Sequence, residues 1–147
     1  MAKIKPLQQS KIFSSLSDHE LALFSRIVSE EDYIKDTVLV AENMRSDKFY
    51  LIEKGKISVN TGAINADREL VLGEGETFGE WSLLAPPHLT SVSAKVTESA
   101  QVLVLEKDDF DKFAETEPAI ALKILKGVVG SVWPSIKDVE KILREAI

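Results

Sequence analysis

Gly75 to Val96 reads GETFGEWSLLAPPHLTSVSAKV. Gly75 marks a turn, Thr77-Phe78 the end of a short strand, and Gly79 a second turn. One helical turn follows through Glu80-Trp81-Ser82-Leu83-Leu84. Pro86 and Pro87 stiffen a loop, and Val92-Ala94-Val96 then alternates as a strand. A tight glycine turn feeding a helix N-terminus leaves backbone N–H groups unpaired, which is the physical basis of an anion site. Glu80 beside it is either an acceptor for sugar hydroxyls or a carboxylate favourably placed at a helix start. For Trp81 the expectation is packing in the core or in a pocket wall.

Upstream of this stretch the hydrophobic period is close to two. Short apolar runs occur at Thr37-Val40, Lys48-Glu53, Lys56-Asn60 and Glu69-Leu72, and downstream at Ser91-Val96 and Gln101-Glu106; Tyr33-Ile34 adds a further short candidate. Turn-like separators divide them: Lys54-Gly55, Thr61-Gly62, Asn65-Ala66-Asp67 and Gly73-Glu74-Gly75. Gly55 is expected at a tight bend between two strands, with positive φ. Many short strands without a long helix between them imply an antiparallel sandwich or barrel.

The period is helical on both flanks. Residues 1–12 hold a short helix or an extended arm. Ser17 with Glu20 three residues later has the form of a capping box, and Leu16 can staple against Leu21. Leu21, Phe24 and Val28 continue that helix, which is expected to end near Ser29, with His19 in solvent. After Glu106, Asp108 is expected to cap a short helix carrying Phe110 and Phe113. Pro118 then opens a longer one, with Ile120, Ile124, Leu125, Val128, Val129 and Val132 as an apolar stripe. Pro134 is expected to stop or kink it at Trp133, before a last helical segment carrying Ile136, Val139, Ile142 and Leu143. Trp133 is expected to pack beside the break or to contact a ligand as part of a lid. The organisation is one domain, 1–147: a helical segment 1–30, a β-rich body 31–106 and C-terminal helices 107–147.

Composition narrows the function. The chain has no cysteine, which removes thiolate metal sites and cysteine nucleophiles. Its net charge is −6, with no basic stripe of the kind a nucleic-acid binder carries. No apolar run is long enough for a signal or membrane segment, so the expected location is cytoplasmic. His19 and His88 lie in different settings and show no metal or catalytic constellation, so no enzyme activity, metal or cofactor is expected.

In this order of elements the sequence resembles the cyclic nucleotide-binding domain family. Phe13-Ser14-Ser15-Leu16-Ser17-Asp18-His19-Glu20-Leu21 is similar to that family's opening F-x-x-L-s-x-x-E-L. Tyr50-Leu51-Ile52-Glu53-Lys54-Gly55-Lys56-Ile57 looks like its Y-x-I-x-x-G-x-I/V hairpin. Leu72 to Leu84, LGEGETFGEWSLL, is similar to its L-G-x-G-x-x-F-G-E-x-A-L-L run and is the most specific of the three. The resemblance implies a mainly β fold with flanking α-helices, an eight-stranded jelly roll (double-stranded β-helix) of cyclic nucleotide-binding type. It implies a regulatory module that senses cAMP or cGMP and signals through a partner protein or a homodimer made by the C-terminal helices, without nucleic acid or membrane. Only 14 residues follow Trp133, too few for the winged helix-turn-helix that DNA-binding relatives append, so no DNA-binding domain is expected.

The resemblance also assigns ligand-binding residues: Phe78, Gly79, Glu80, Trp81, Ser82, His88, Leu89 and Thr90. Gly79 would let backbone approach the ligand, and Glu80 would accept from the ribose 2′-hydroxyl. The N–H groups of Trp81, Ser82 and their neighbours would face the cyclic phosphate, and the helix after Pro118 would act as a lid. The family's cassette continues P-R-A/S-A/S-x-V; counting back from Val92 places His88 at the arginine and Leu89 at a small residue. A neutral imidazole lacks the charge and planar fork of a guanidinium, a loss worth about 2–5 kcal/mol of binding. The alternative is therefore an interaction domain that keeps the fold without the nucleotide. Asn43-Met44-Arg45-Ser46-Asp47 stands where the family has a G-x-x-G-D turn, and Asn43 can take the left-handed conformation there.

Overall fold

A computed structural model describes residues 3–41, 43–61, 69–85, 89–90 and 92–146. Ile4–Gln9 (α1), a 3-10 turn at Lys11–Phe13 and Asp18–Ser25 (α2) lead into the strands. These are Ser29–Tyr33 (β1), Val38–Val40 (β2), Lys48–Thr61 (β3), Glu69–Leu72 (β4), Thr77–Phe78 (β5) and Val92–Glu106 (β6); Trp81–Leu84 (α3) lies between the last two. Lys107–Thr116 (α4) and Pro118–Ala146 (α5) close the chain.

The two long strands organise the body. β3 and β6 pair antiparallel over their whole lengths, but the register shifts repeatedly between Ile52 and Ile57. Gly55 sits in that irregular stretch with φ +90°, and a methyl group on it would lie 2.5 Å from the Ser99 carbonyl oxygen. The expected hairpin at Lys54-Gly55 is therefore a bulged bend within one strand: the chain turns a corner without reversing. The first half of β3 pairs with the second half of β6 and with β5, while β1 joins the other edge of β6. The second half of β3 pairs with the first half of β6 and with β4, while β2 joins there. Counted by halves, these are the eight segments of the expected jelly roll.

Alternation along the long strands divides the interior into two cores. Tyr50, Ile52, Ile57 and Val59 of β3 meet Ala94, Val96, Val102 and Val104 of β6 inside the barrel. Phe49 and Leu51, with Leu103 and Leu105, point the other way. There they join Phe13, Phe24, Phe110, Phe113 and Ile124 from the helices. The Phe13 and Phe24 rings lie 5.1 Å apart, and Phe113 meets Phe24 edge-on at 5.7 Å.

The capping box is present: the Glu20 N–H donates to Ser17 Oγ at 3.2 Å, and the Ser17 N–H to Glu20 Oε1 at 2.9 Å. That backbone bond, followed by the Lys123 contact, holds the Glu20 carboxyl below the usual carboxylate range. Lys123 Nζ lies 2.9 Å from Glu20, tying α5 to α2. The Lys3 ammonium donates to the Ser25 and Val28 carbonyls at 2.7 Å each, at and just beyond the end of α2.

Several expected boundaries move. α2 ends at Ser25 rather than near Ser29, because Ser29–Tyr33 is taken as a strand by pairing with Val104–Ala100. α4 begins at Lys107 with Glu106 before it, so Asp108 lies in the first turn and is not the cap. α5 does not stop at Trp133 but continues to Ala146 with Pro134 inside. The carbonyl that Pro134 leaves unpaired belongs to the exposed Gly130, where water can take it. Trp133 is half exposed rather than packed. The separators within 62–68 lie outside the described residues. Among the described residues no helix is long and apolar enough to cross a membrane.

Candidate functional site

Two clamps frame an open cavity in the barrel wall. The first holds the glycine turn after β5. Gly79 has φ +83°, and a methyl group there would lie 2.4 Å from the Lys48 carbonyl oxygen. Only a residue without Cβ brings the turn this close to the start of β3. Ser82, buried in α3, donates its hydroxyl to the same Lys48 carbonyl at 2.8 Å. Ser46 lies 3.0 Å from Ser82 Oγ, and because Ser82 has spent its only proton, Ser46 is the donor.

The second clamp joins the β2–β3 loop to the chain before β6. The Asn43 N–H donates to the Thr90 carbonyl at 2.8 Å, and the Thr90 N–H to the Met44 carbonyl at 2.7 Å. Arg45 and Leu89 form an antiparallel bridge beside them. Asn43 takes φ +66°, the left-handed conformation expected of it. Thr90 is buried, and its hydroxyl accepts from the Val92 N–H at 3.1 Å.

Between the clamps lies a cavity of about 290 Å³, near the lower end of the ~300–1,000 Å³ usual for ligand pockets. Its apolar wall is Leu39, Val40, Val59 and Val92. Tyr50 and Phe78, paired across β3 and β5, stack with ring centroids 4.4 Å apart and planes 9° from parallel. Burial, and then the Tyr33, Asp47 and Glu106 charges, push the Tyr50 hydroxyl well above its ordinary value, so it stays a neutral donor. The polar lining is Arg45, Ser46, Asp47, Lys48 and Glu80. Thr77 Oγ1 donates to Glu80 Oε1 at 2.6 Å, which orients the carboxylate and leaves it capacity for further donors.

Of the residues expected from the sequence, Phe78, Gly79, Glu80, Trp81, Leu89 and Thr90 line this cavity together. Ser82 does not line it and acts from behind, through Lys48. The Ser82 N–H donates to the Gly79 carbonyl at 3.0 Å and the Leu83 N–H to the Glu80 carbonyl at 3.1 Å. Two of the expected phosphate donors are thus engaged inside the turn. Trp81 is half exposed at the cavity edge. No described residue of α5 lines the cavity, so the expected lid does not reach it; Ser131 and Val132 line a neighbouring space that shares Glu80 and Trp81. His88, on which the alternative without nucleotide turns, lies outside the described residues. Sequence reasoning did not anticipate Leu39, Val40, Tyr50, Val59 or the cations Arg45 and Lys48 as lining. The inward alternation of Tyr50 and Val59 was the available signal for two of them.

With this geometry in hand, similarity to known proteins identifies the domain. Residues 30–117 match the cyclic nucleotide-binding domain. The chain is 26% identical over 110 residues to cGMP-dependent protein kinase, isozyme 2 forms cD5/T2, of Drosophila melanogaster, covering 72% of this chain and 12% of that protein. It is 23% identical over 122 residues to the CRP-like cAMP-activated global transcriptional regulator of Mycobacterium tuberculosis, covering 82% of this chain and 54% of that protein. It therefore spans about half or less of these relatives' lengths. In three dimensions it resembles the N-terminal domain of a transcriptional regulator from Streptomyces coelicolor A3(2), with TM-score 0.76 at 22% identity over 91% of this chain and 94% of that one. The chain belongs to the cyclic nucleotide-binding domain family.

Proposed function

We propose that this domain is a regulatory sensor that binds a 3′,5′-cyclic purine nucleotide, cAMP or cGMP, in the cavity between the two clamps. The observation that carries the reading is the joint presence of Gly79, Glu80 and the stacked Tyr50–Phe78 pair around one open cavity. Glu80, oriented by Thr77, accepts from the ribose hydroxyl. Gly79 lets the turn approach the ligand. Trp81, Leu89 and Thr90 form the walls, with His88 completing the cassette and Ser82 bracing it through Lys48. The names of the relatives, a cGMP-dependent kinase and a cAMP-activated regulator, support this class of ligand.

Binding rather than catalysis is the role. The output runs through α5 to a partner protein or a second copy, in the cytoplasm. Leu122, Val129 and Leu143 are exposed on one side of that helix, and an apolar helix face of this kind suits a partner helix. Calorimetric titration with cAMP and cGMP tests the reading. Saturable binding at micromolar concentration or tighter, weakened by Glu80→Gln, is expected; no heat at millimolar nucleotide overturns it.

A further inference from the structure

Counting along the cassette leaves the nucleotide's phosphate without its usual guanidinium, since His88 occupies that position. The tertiary structure supplies another. Arg45 bridges Leu89, the residue immediately after His88, across an antiparallel pair. Residues directly opposite in such a pair present their side chains on the same face, with Cβ atoms about 4.5–5.5 Å apart. Leu89 and Arg45 both line the cavity, so the shared face is the cavity face. The pairing is held on both sides of Met44 by the Asn43–Thr90 and Thr90–Met44 backbone bonds. Arg45 therefore stands across the strand gap from the cassette end where the arginine is missing.

The other cation of the lining, Lys48, belongs to the opposite clamp. Its carbonyl accepts from Ser82 and lies against Gly79. Arg45 is exposed and joins no ion pair among the described residues, so its charge is available to an anion. Its planar fork of donors suits the two exocyclic oxygens of a cyclic phosphate, which a single ammonium does not match.

We propose that Arg45, from the loop before β3, is the phosphate anchor of this site and replaces in space the arginine that the cassette lacks in sequence. The proposal rests on the cyclic nucleotide reading given above. It places the anion contact on a different chain segment from the ribose contact of Glu80. The ligand then ties the β2–β3 loop to the cassette, reinforcing the second clamp.

Calorimetric titration of cAMP and cGMP into the wild type, Arg45→Gln, Arg45→Lys and Glu80→Gln tests it, together with the Rp and Sp phosphorothioate analogues, in which sulfur replaces one exocyclic oxygen or the other. Arg45→Gln is expected to weaken binding about 100-fold, and Arg45→Lys about 10-fold. Arg45→Gln should also bring the Rp-to-Sp affinity ratio towards one, which loss of general packing does not do. Thermal melts should be unchanged, because Arg45 is a surface loop residue. If the wild type binds and Glu80→Gln weakens it while Arg45→Gln binds within threefold of wild type, the anchor assignment is wrong and the nucleotide reading stands. If the wild type binds neither nucleotide at millimolar concentration, the nucleotide reading fails and this one with it.

Discussion

The α-carbon of Gly79 faces the Lys48 carbonyl so closely that a methyl group on it would sit 2.4 Å from that oxygen. The same oxygen receives the Ser82 hydroxyl at 2.8 Å. One backbone carbonyl at the start of β3 thus fixes both the turn and the short helix that follow β5. Gly79→Ala must displace backbone and also hold alanine at φ +83°. A loss of about 3 kcal/mol in urea unfolding is expected. Nucleotide affinity should fall in parallel, because the turn that carries Glu80 moves.

A second prediction concerns pH. Glu53 faces a separate cavity beside α1, lined also by Glu30, Glu74, Lys5 and Lys54. Its Oε2 is buried without a partner among the described residues. Desolvation, followed by the neighbouring Glu30 carboxyl, pushes its pKa up to about 7; Lys54 opposes this and Asp32 adds to it. A raised folded-state pKa favours the neutral form. The stability this contributes is complete below about 4.5 and is lost as pH rises through about 7. Glu53→Gln should therefore gain stability relative to wild type between pH 5 and pH 8. The gain should be about 1 kcal/mol, since the side chain keeps part of its surface in water. Urea unfolding of both proteins across that range measures it; a constant difference would show that folding does not raise the Glu53 pKa.

A third prediction concerns the joint between α5 and the 3-10 turn. A methyl group on Gly127 would lie 2.0 Å from the Ile12 carbonyl oxygen and 2.8 Å from its carbon. Elsewhere in a helix Gly→Ala stabilises by about 1 kcal/mol. Here the neighbour is backbone, so the helix must move. Gly127→Ala is expected to destabilise by about 2 kcal/mol and to expose Ile124 and Val128, which are buried on the same face. A melt at or above the wild-type temperature would refute the close packing.

Legibility in the sequence followed the strength of the local signal. The capping box at Ser17–Glu20, the Gly75–Leu84 turn and helix, and the start of α5 at Pro118 were readable because each is set within a few residues. β1 was not: Ser29-Glu30-Glu31-Asp32-Tyr33 is largely exposed and has no apolar alternation, and becomes a strand only by pairing with β6. The bend at Gly55 showed as a need for positive φ, but whether the chain reversed there or turned a corner depended on the partner strand. Half of the cavity was readable from the cassette, and the half contributed by residues 39–50 was not.

The sequence by itself determined the element order, the mainly β body between helices, and the glycine turn with Glu80 beside it. Those depend on residue type and short spacing. Tertiary structure alone decided that Ser82 braces Lys48, and that Arg45 stands opposite Leu89 on the cavity face. These relationships join residues 34 and 44 positions apart through strand register, which the pairings of β3 with β5 and of β2 with β6 set and no local pattern encodes.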